Sequence, residues 1–183
     1  MLSLRRVTLL VFASVLLCLT SASIAKADAF IYTATMTGLQ EVPPNASTAT
    51  GLATGTYDTA TNTITLNLTW SGLIGGVASA GHYHAPGAPG VNAGVIQGFD
   101  GLPAATSGTY ANSFVLSDTN ETHLLNGLVY ANIHNATFPG GEIRGQVVLQ
   151  PVPEPASLIL LTTGMAGIAA LRKKRRAQQS QAD

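Results

Sequence analysis

Three histidines offer the clearest chemistry in this sequence. His82 and His84 are separated by one residue, and His134 ends a second segment of alternating apolar residues. Side chains two apart on a strand point to the same face, so the first two imidazoles lie side by side while Tyr83 points away. Two imidazoles on one face can chelate a metal ion, and copper and zinc both accept imidazole nitrogen. A copper or zinc site is therefore one interpretation of this spacing.

His134 is expected at the same edge of the fold as the pair. Its position in the alternation matches Tyr130 and Asn132 rather than the apolar residues between them, so it points away from the core. Glu142 is a further candidate ligand nearby. A second interpretation stays open, in which the histidines are structural side chains that are hydrogen-bonded beneath the Pro- and Gly-rich loop 85–90.

No catalytic constellation is recognisable in the sequence. There is no Gly-x-Ser-x-Gly nucleophile motif, and the glycine doublets lack the strand–loop–helix context of a phosphate-binding loop. Glu142 and Arg144 share one face of a predicted strand, which favours a structural ion pair over a catalytic one. The sequence therefore predicts no catalytic residue, and a binding or structural role is favoured over an enzyme.

The elements that position these residues are predicted to be strands. Residues 28–150 contain 17 threonines and 17 glycines, which favour strands and the turns between them. The run Thr63–Trp70 alternates strictly, with Ile64, Leu66, Leu68 and Trp70 on one face. Such alternation indicates a half-buried strand with an apolar inner face.

Further strands and one helix follow from the same patterns. The helix is expected at residues 117–126, with Ser117 or Asp118 as its cap and His123 within it. For residues 28–150 we predict an all-β fold, an antiparallel Ig-like or superoxide-dismutase-like β-sandwich. The other predicted strands are Phe30–Thr37, Gly51–Tyr57, Val77–His84, Val95–Phe99, Thr106–Leu116, Leu128–His134 and Glu142–Leu149.

Residues 1–27 have the three parts of a secretory signal peptide. Arg5 and Arg6 precede an apolar run, and the run is followed by Ala25-Lys26-Ala27, where signal peptidase is expected to cleave. The single cysteine, Cys18, lies inside this segment. The exported domain is then expected to fold without a disulfide, which its length allows.

The C-terminal residues 151–176 have a second tripartite pattern. Pro153, Glu154 and Pro155 precede an apolar run at 156–171, and five basic residues follow at 172–176. The run is near the lower length limit for a transmembrane helix, and the basic cluster should stay on the cytoplasmic side. Residues 177–183 form a short polar tail.

The charge distribution argues against nucleic acid as a partner. All but one of the nine basic residues lie in the two terminal segments, and Arg144 is the single basic residue of 28–150. That middle region has seven acidic residues. Proteins that bind nucleic acid need lysine and arginine against phosphate, so the charge balance of this region disfavours such binding.

The order of motifs in the middle region resembles the CHRD domain, a family first described in chordin and common in bacterial exported proteins. The resemblance rests on Gln40-Glu41-Val42-Pro43-Pro44, on His82-Tyr83-His84-Ala85-Pro86-Gly87, and on the segment from His134 to Gly145. It covers approximately residues 31–149. The family resemblance alone does not specify a ligand or partner.

The C-terminal pattern resembles the PEP-CTERM sorting signal of Gram-negative bacteria. This resemblance implies processing by an exosortase, after transient anchoring in the inner membrane by residues 156–171. It also implies display in the periplasm, on the outer envelope or in the extracellular matrix, with exopolysaccharide as a potential partner.

The His-x-His strand is also similar in outline to copper–zinc superoxide dismutase. The remaining ligands, the disulfide cysteines and the electrostatic-loop arginine of that family have no counterpart that we recognise in this sequence. We therefore predict an exported binding or structural module, for which a metal site at the histidines and a purely structural role of these side chains both stay open. A metal-dependent copper/zinc enzyme of superoxide-dismutase-like shape is the alternative.

Overall fold

The structure is a computed structural model that describes residues 29–152 and 163–169, together with Arg172 and Gln178. The predicted signal peptide and the Pro153-Glu154-Pro155 motif lie outside the described residues. Within the predicted C-terminal apolar run, residues 163–169 are helical and exposed. No helix of the described part is both long and apolar enough to cross a membrane.

Nine strands and one α-helix make up the described domain, which confirms the all-β prediction. A single 3₁₀ turn at Gly38–Gln40 follows the first strand, and α1 is Asp118–Leu125. The strands are β1 (Ala29–Thr37), β2 (Thr50–Asp58), β3 (Thr63–Ser71), β4 (Ala80–His84), β5 (Val95–Gly98), β6 (Gly108–Val115), β7 (Tyr130–His134), β8 (Ile143–Gln146) and β9 (Val148–Pro151).

All strand pairs are antiparallel, and they form one continuous sheet in the order β5-β4-β7-β8-β1-β2-β3-β6. The sequence predicted one strand at Glu142–Leu149, and the structure divides this segment into β8 and β9. Both pair with β1, β8 at Thr37 and β9 along Phe30–Thr33. Because the pairing is interrupted at Val147, β8 and β9 pair with opposite ends of the long strand β1.

The sheet curls until its halves face each other across the core. The hydroxyls of Tyr32 on β1 and Tyr83 on β4 lie 2.5 Å apart, and the Tyr83 ring meets Phe114 of β6 edge-on. Near the two ends of the sheet, Tyr110 of β6 donates a hydrogen bond to the carbonyl oxygen of Asp100, just after β5. The result is a nearly closed barrel, or a sandwich whose two layers belong to one sheet.

The alternation read from the sequence decides which side chains enter this core. On β3 Ile64, Leu66, Leu68 and Trp70 are all at most 3% exposed. The indole nitrogen of Trp70 donates a hydrogen bond to the carbonyl oxygen of Ala105, so its polar group is satisfied within the core. On the outer face the same strand carries threonine hydroxyls, and Thr65 meets Thr56 of β2.

Helix α1 packs against the hydrophobic core through Leu124, which is fully buried. The cap is Ser117, whose hydroxyl accepts a hydrogen bond from the backbone nitrogen of Asn120. Of the two caps considered from the sequence, the structure selects this one, because Ser117 keeps the extended backbone that a cap residue requires.

Candidate metal centre

The three histidines lie together on the outer face of the sheet, at the adjoining strands β4 and β7. Strand pairing aligns His82 with Asn132 and His84 with Tyr130, while His134 lies opposite Ala80. The side chains between them, including Tyr83 and Ile133, enter the core. The two-residue period of both strands thus brings the histidines to one face, as the spacing predicted.

One nitrogen of each imidazole points to a common location. His82, His84 and His134 each offer a ligand atom, and these atoms lie within 4.8 Å of one another. The closest approach is 3.0 Å, between Nδ1 of His82 and Nε2 of His134. Within the described residues, this is the group of three or more His, Cys, Asp or Glu side chains that has the spacing of a metal site.

Backbone carbonyls set the orientation of two of the rings. Nδ1 of His84 lies 2.9 Å from the carbonyl oxygen of Ala93, and Nδ1 of His134 lies 3.0 Å from that of Pro139. A carbonyl oxygen only accepts hydrogen bonds, so each Nδ1 must be the protonated nitrogen. In the neutral rings both Nε2 atoms then carry a lone pair, and both atoms face the other side chains of the cluster. Metal-binding histidines are commonly oriented in this way.

Burial favours the neutral form of His134 and of His82. It lowers the pKa of His134 to about 4, and the neighbouring imidazoles lower it too, although the hydrogen bond to Pro139 acts in the opposite direction. Burial also lowers the pKa of His82, as does His84, while Asp100 raises it. Neutral imidazole is the form that binds a metal ion, so the site favours the binding-competent state near pH 7.

An aromatic stack connects this cluster to the next strand. The ring of His84 is parallel to that of Tyr130, with a centroid distance of 4.7 Å. The guanidinium carbon of Arg144 on β8 lies 3.4 Å from the centroid of the same tyrosine ring. Arg144 is 1% exposed and donates hydrogen bonds to the carbonyl oxygens of Ala88 and Val91. These contacts fix the loop 85–94 over the outer face of the sheet.

The structure corrects the assignment of Glu142 as a metal ligand. Its Oε1 accepts hydrogen bonds from Ser47 Oγ and from the backbone nitrogen of Ile74, at 2.7 Å for the latter. Its Oε2 accepts from the backbone nitrogen of Gly75 and from the side-chain amide of Asn135. Both carboxylate oxygens therefore bind groups of neighbouring loops, and the histidine cluster does not include them.

These hydrogen bonds also keep Glu142 ionised. Burial alone raises the pKa of the carboxyl group, but the donors from Ser47, Ile74, Gly75 and Asn135 outweigh burial and hold the pKa below its usual value. A fully buried carboxylate with this many donors acts as a structural anchor for the loops that it joins.

The predicted ion pair between Glu142 and Arg144 also needs correction. The two residues are both buried but have different partners: Glu142 binds loop donors, and Arg144 contacts Tyr130, the loop 85–94 and Asn92. The alternation places Glu142 and Arg144 on the outward side of their segment. Each side chain there forms its hydrogen bonds with the loops that cover it. Sequence parity could not show those loops.

Two further polar side chains of the site, Asn132 and Glu41, did not stand out in the sequence. Oδ1 of Asn132 lies 2.9 Å from Nε2 of His134 and 3.0 Å from Nε2 of His84. The shared parity of Asn132 and His134 on one strand was the available signal.

Glu41 lies in the segment after the 3₁₀ turn, close to Gly141. It is 5% exposed, and its Oε1 is buried without a hydrogen-bond partner in the described structure. Burial raises the pKa of Glu41 to about 7, against the opposing effects of Arg144 and the backbone of Val42. A cavity of about 240 Å³ adjoins Glu41 and Arg144, between residues 39–44 and 89–90.

Comparison with known proteins agrees with the sequence motifs. A family model of the CHRD domain matches residues 32–147, and a model of the PEP-CTERM protein-sorting motif matches residues 151–176. No curated protein and no solved structure shows significant similarity to the chain. Neither of the two matching families is an enzyme family.

The CHRD match spans more than half of the chain and includes β1 to β8 except the first three residues of β1. The sorting motif that follows it marks an exported protein that is processed by an exosortase. The chain therefore belongs to the CHRD-domain family and has a PEP-CTERM protein-sorting motif after its CHRD domain.

Proposed function

We propose that this protein is an exported metal-binding module, displayed in the envelope or the extracellular matrix, in which His82, His84 and His134 hold one copper or zinc ion. The observation that carries the proposal is the convergence of the two Nε2 lone pairs of His84 and His134 beside the third imidazole. Neutral imidazoles suit copper(II) and zinc, and this cluster contains no thiolate or thioether to favour copper(I).

A purely structural role of the histidines would explain their Nδ1 hydrogen bonds but not the placement of their Nε2 atoms. The bonds from Nδ1 to Ala93 and Pro139 tie the loops to the sheet whether or not a metal is present. The two interpretations differ in the role that they give to the Nε2 atoms. Attachment of the loops requires only the Nδ1 bonds, and it does not require the Nε2 atoms of His84 and His134 to lie in one cluster with the third imidazole. This convergence favours a metal site.

The alternative of a copper–zinc enzyme has less support. The described residues provide one cluster with metal-site spacing, formed by three histidines, while the superoxide-dismutase family has further ligands that are not recognised here. A binding role needs one such cluster alone. We therefore favour binding over catalysis, and exopolysaccharide or another envelope component remains the proposed setting of the module.

Metal titration of the purified, chelator-treated protein tests the proposal. We expect one copper(II) or zinc ion per chain, and we expect the double variant His82→Ala/His84→Ala to lower the affinity at least about 100-fold, since two of three ligands are lost. His123→Ala is the matched control, because His123 lies on helix α1 outside the cluster. Stoichiometric metal binding by the double variant would exclude this site.

A further inference from the structure

We propose that the side-chain oxygen of Asn132 is the fourth ligand of this metal site, and that Glu41 is the positioning residue that keeps this oxygen turned toward the histidines. The inference rests on the proposed function of the three histidines and adds to it. Asn132 is 2% exposed and lies on β7, opposite His82 and two residues before His134.

The first argument comes from the lone pairs. The bonds of Nδ1 to the carbonyl oxygens of Ala93 and Pro139 leave Nε2 of His84 and of His134 without a proton in the neutral rings. Both Nε2 atoms nevertheless lie within 3.0 Å of Oδ1 of Asn132, which is also an acceptor. Two Nε2 lone pairs and an amide oxygen at such short distances repel one another, and this repulsion is removed by a cation between them, either a metal ion or a proton on one of the rings. A metal ion would bind all three.

The three shortest distances also fit one coordination sphere, and the widest separation among the histidine ligand atoms, up to 4.8 Å, would have to shorten when a metal ion binds. Two donors bound at ~2.0–2.1 Å to the same ion lie about 2.9 Å apart at a right angle and about 3.4 Å apart at the tetrahedral angle. The three short separations here are 3.0 Å from His82 to His134, 2.9 Å from His134 to Asn132, and 3.0 Å from Asn132 to His84. Asn132 thus bridges the two imidazoles in the way that a fourth ligand would.

The other end of the amide fixes its orientation. Nδ2 of Asn132 points to the carbonyl oxygen of Gly140, at 3.4 Å. Rotating the amide by half a turn would put its oxygen against that carbonyl instead. The same end of the amide lies near the carboxylate of Glu41, since a side chain at Gly141 would meet both Glu41 Oε1 and Asn132 Nδ2. The carbonyl oxygen of Gly140, and the carboxylate of Glu41 when it is ionised, therefore favour the amide nitrogen on this side and the oxygen on the metal side.

Oε1 of Glu41 makes no hydrogen bond in the described structure, so it is available to the amide of Asn132. Oε1 is buried and unpartnered in the described structure, and a buried acceptor of this kind costs stability unless a donor approaches it. The donor that the geometry brings near is the amide of Asn132. Gly141 leaves the space between them, because a Cβ atom there would collide with the carboxylate of Glu41. Its φ of +130° also lies in a region that favours glycine.

Copper(II) titration combined with electron paramagnetic resonance tests the ligand assignment. For Asn132→Leu we expect an affinity at least about 10-fold lower than that of the wild-type protein, and a changed parallel g value, because one donor is lost. Asn67→Leu is the matched control, since Asn67 is an exposed residue on β3. An unchanged affinity and spectrum in a copper-binding Asn132→Leu protein would overturn the proposal.

A second variant keeps the test valid if Asn132→Leu does not fold. Asn132→Asp retains an oxygen at the same place and makes it anionic, so we expect copper(II) to bind more tightly and with a shifted parallel g value. If Asn132→Asp leaves the spectrum unchanged, the oxygen is not a ligand. If the wild-type protein itself binds no metal, the proposed function fails as well, and the two failures are thereby distinguished.

The role of Glu41 has its own readout. Glu41→Leu removes the acceptor near the amide nitrogen but none of the four ligand atoms. We therefore expect a fall in affinity that is smaller than for Asn132→Leu, about 3- to 10-fold, with the spectrum still that of the complete ligand set in the bound fraction. Equal affinities of Glu41→Leu and the wild-type protein would exclude the positioning role.

Discussion

A single hydrogen bond fixes the tautomer of His84, and another fixes that of His134. The carbonyl oxygens of Ala93 and Pro139 select the protonated nitrogen of His84 and of His134. This selection leaves Nε2 as the free nitrogen in both rings. Because each carbonyl belongs to a loop that crosses the outer face of the sheet, the loops determine the tautomers while the strands determine the positions.

The pH dependence of metal binding is a prediction at this scale. From the sequence, proton competition is expected near the ordinary imidazole pKa of roughly 6.5. Burial lowers the pKa of His82, and it lowers that of His134 to about 4. We therefore expect metal binding to persist below pH 6.5 and to be lost as the pH approaches about 4, as measured by titration at stepped pH. Loss of binding centred near pH 6.5 would contradict the burial of these rings.

The stability of the metal-free protein should change in the same window. The unfolded chain protonates His134 below roughly pH 6.5, whereas the folded protein resists protonation until about pH 4, so this residue costs stability as the pH falls between the two. Glu41 has the opposite effect, because its folded pKa is raised to about 7. Comparing wild-type and His134→Gln unfolding at several pH values isolates the contribution of His134.

At the level of strands, the two-residue period accounts for most of what the sequence revealed. The period placed Ile64, Leu66, Leu68 and Trp70 in the core, and the structure confirms this. It also placed the three histidines on the opposite, outward side. The period predicts on which side of the sheet each residue lies, but it does not predict the loop that will cover that side. For this reason the sequence predicted the wrong partners for Glu142 and Arg144.

The register of β3 is open to a direct test. Leu66 is 1% exposed, so Leu66→Ala should leave a cavity and lower the free energy of unfolding by roughly 2–5 kcal/mol. Thr65→Ser retains the hydroxyl that meets Thr56 on the outer face and should cost less than ~1 kcal/mol. Urea unfolding of both variants measures the difference. If Thr65→Ser were the more damaging substitution, the register of this strand would have to be revised.

Across the whole chain, charge and hydropathy distinguish the domain from the two terminal segments. The CHRD domain has one basic residue, Arg144, and this residue is buried in contact with Tyr130 and the loop 85–94. Basic residues otherwise occur in the N-terminal segment and after the apolar run 156–171. This asymmetry is the physical basis for the orientation expected before processing.

The orientation itself is a testable prediction. We expect residues 28–150 to reach the periplasm while the basic cluster 172–176 stays in the cytoplasm until the tail is processed, because positive charge next to an apolar helix resists translocation. A reporter enzyme that is active only in the periplasm, fused after Asp183, should therefore be inactive. The same reporter fused after Val152, without the sorting segment, is the positive control. Activity of the first fusion would contradict the orientation.

The sequence by itself determined the class of fold, the core face of β3 and the C-terminal sorting motif. These properties depend on local periodicity and on composition, which every stretch of the chain displays without its neighbours. It also identified the three histidines, because their parity is a local property. The family resemblance from the motifs was confirmed over residues 32–147.

Only the tertiary structure decided what surrounds the histidines. Asn132 and Glu41 are 91 positions apart in the sequence, yet both of their side chains lie beside Gly141. The closure of one sheet upon itself and the split between β8 and β9 depend likewise on pairings between distant strands. Such contacts are fixed by packing of the whole chain, and no local pattern specifies which loop carbonyl will meet which imidazole.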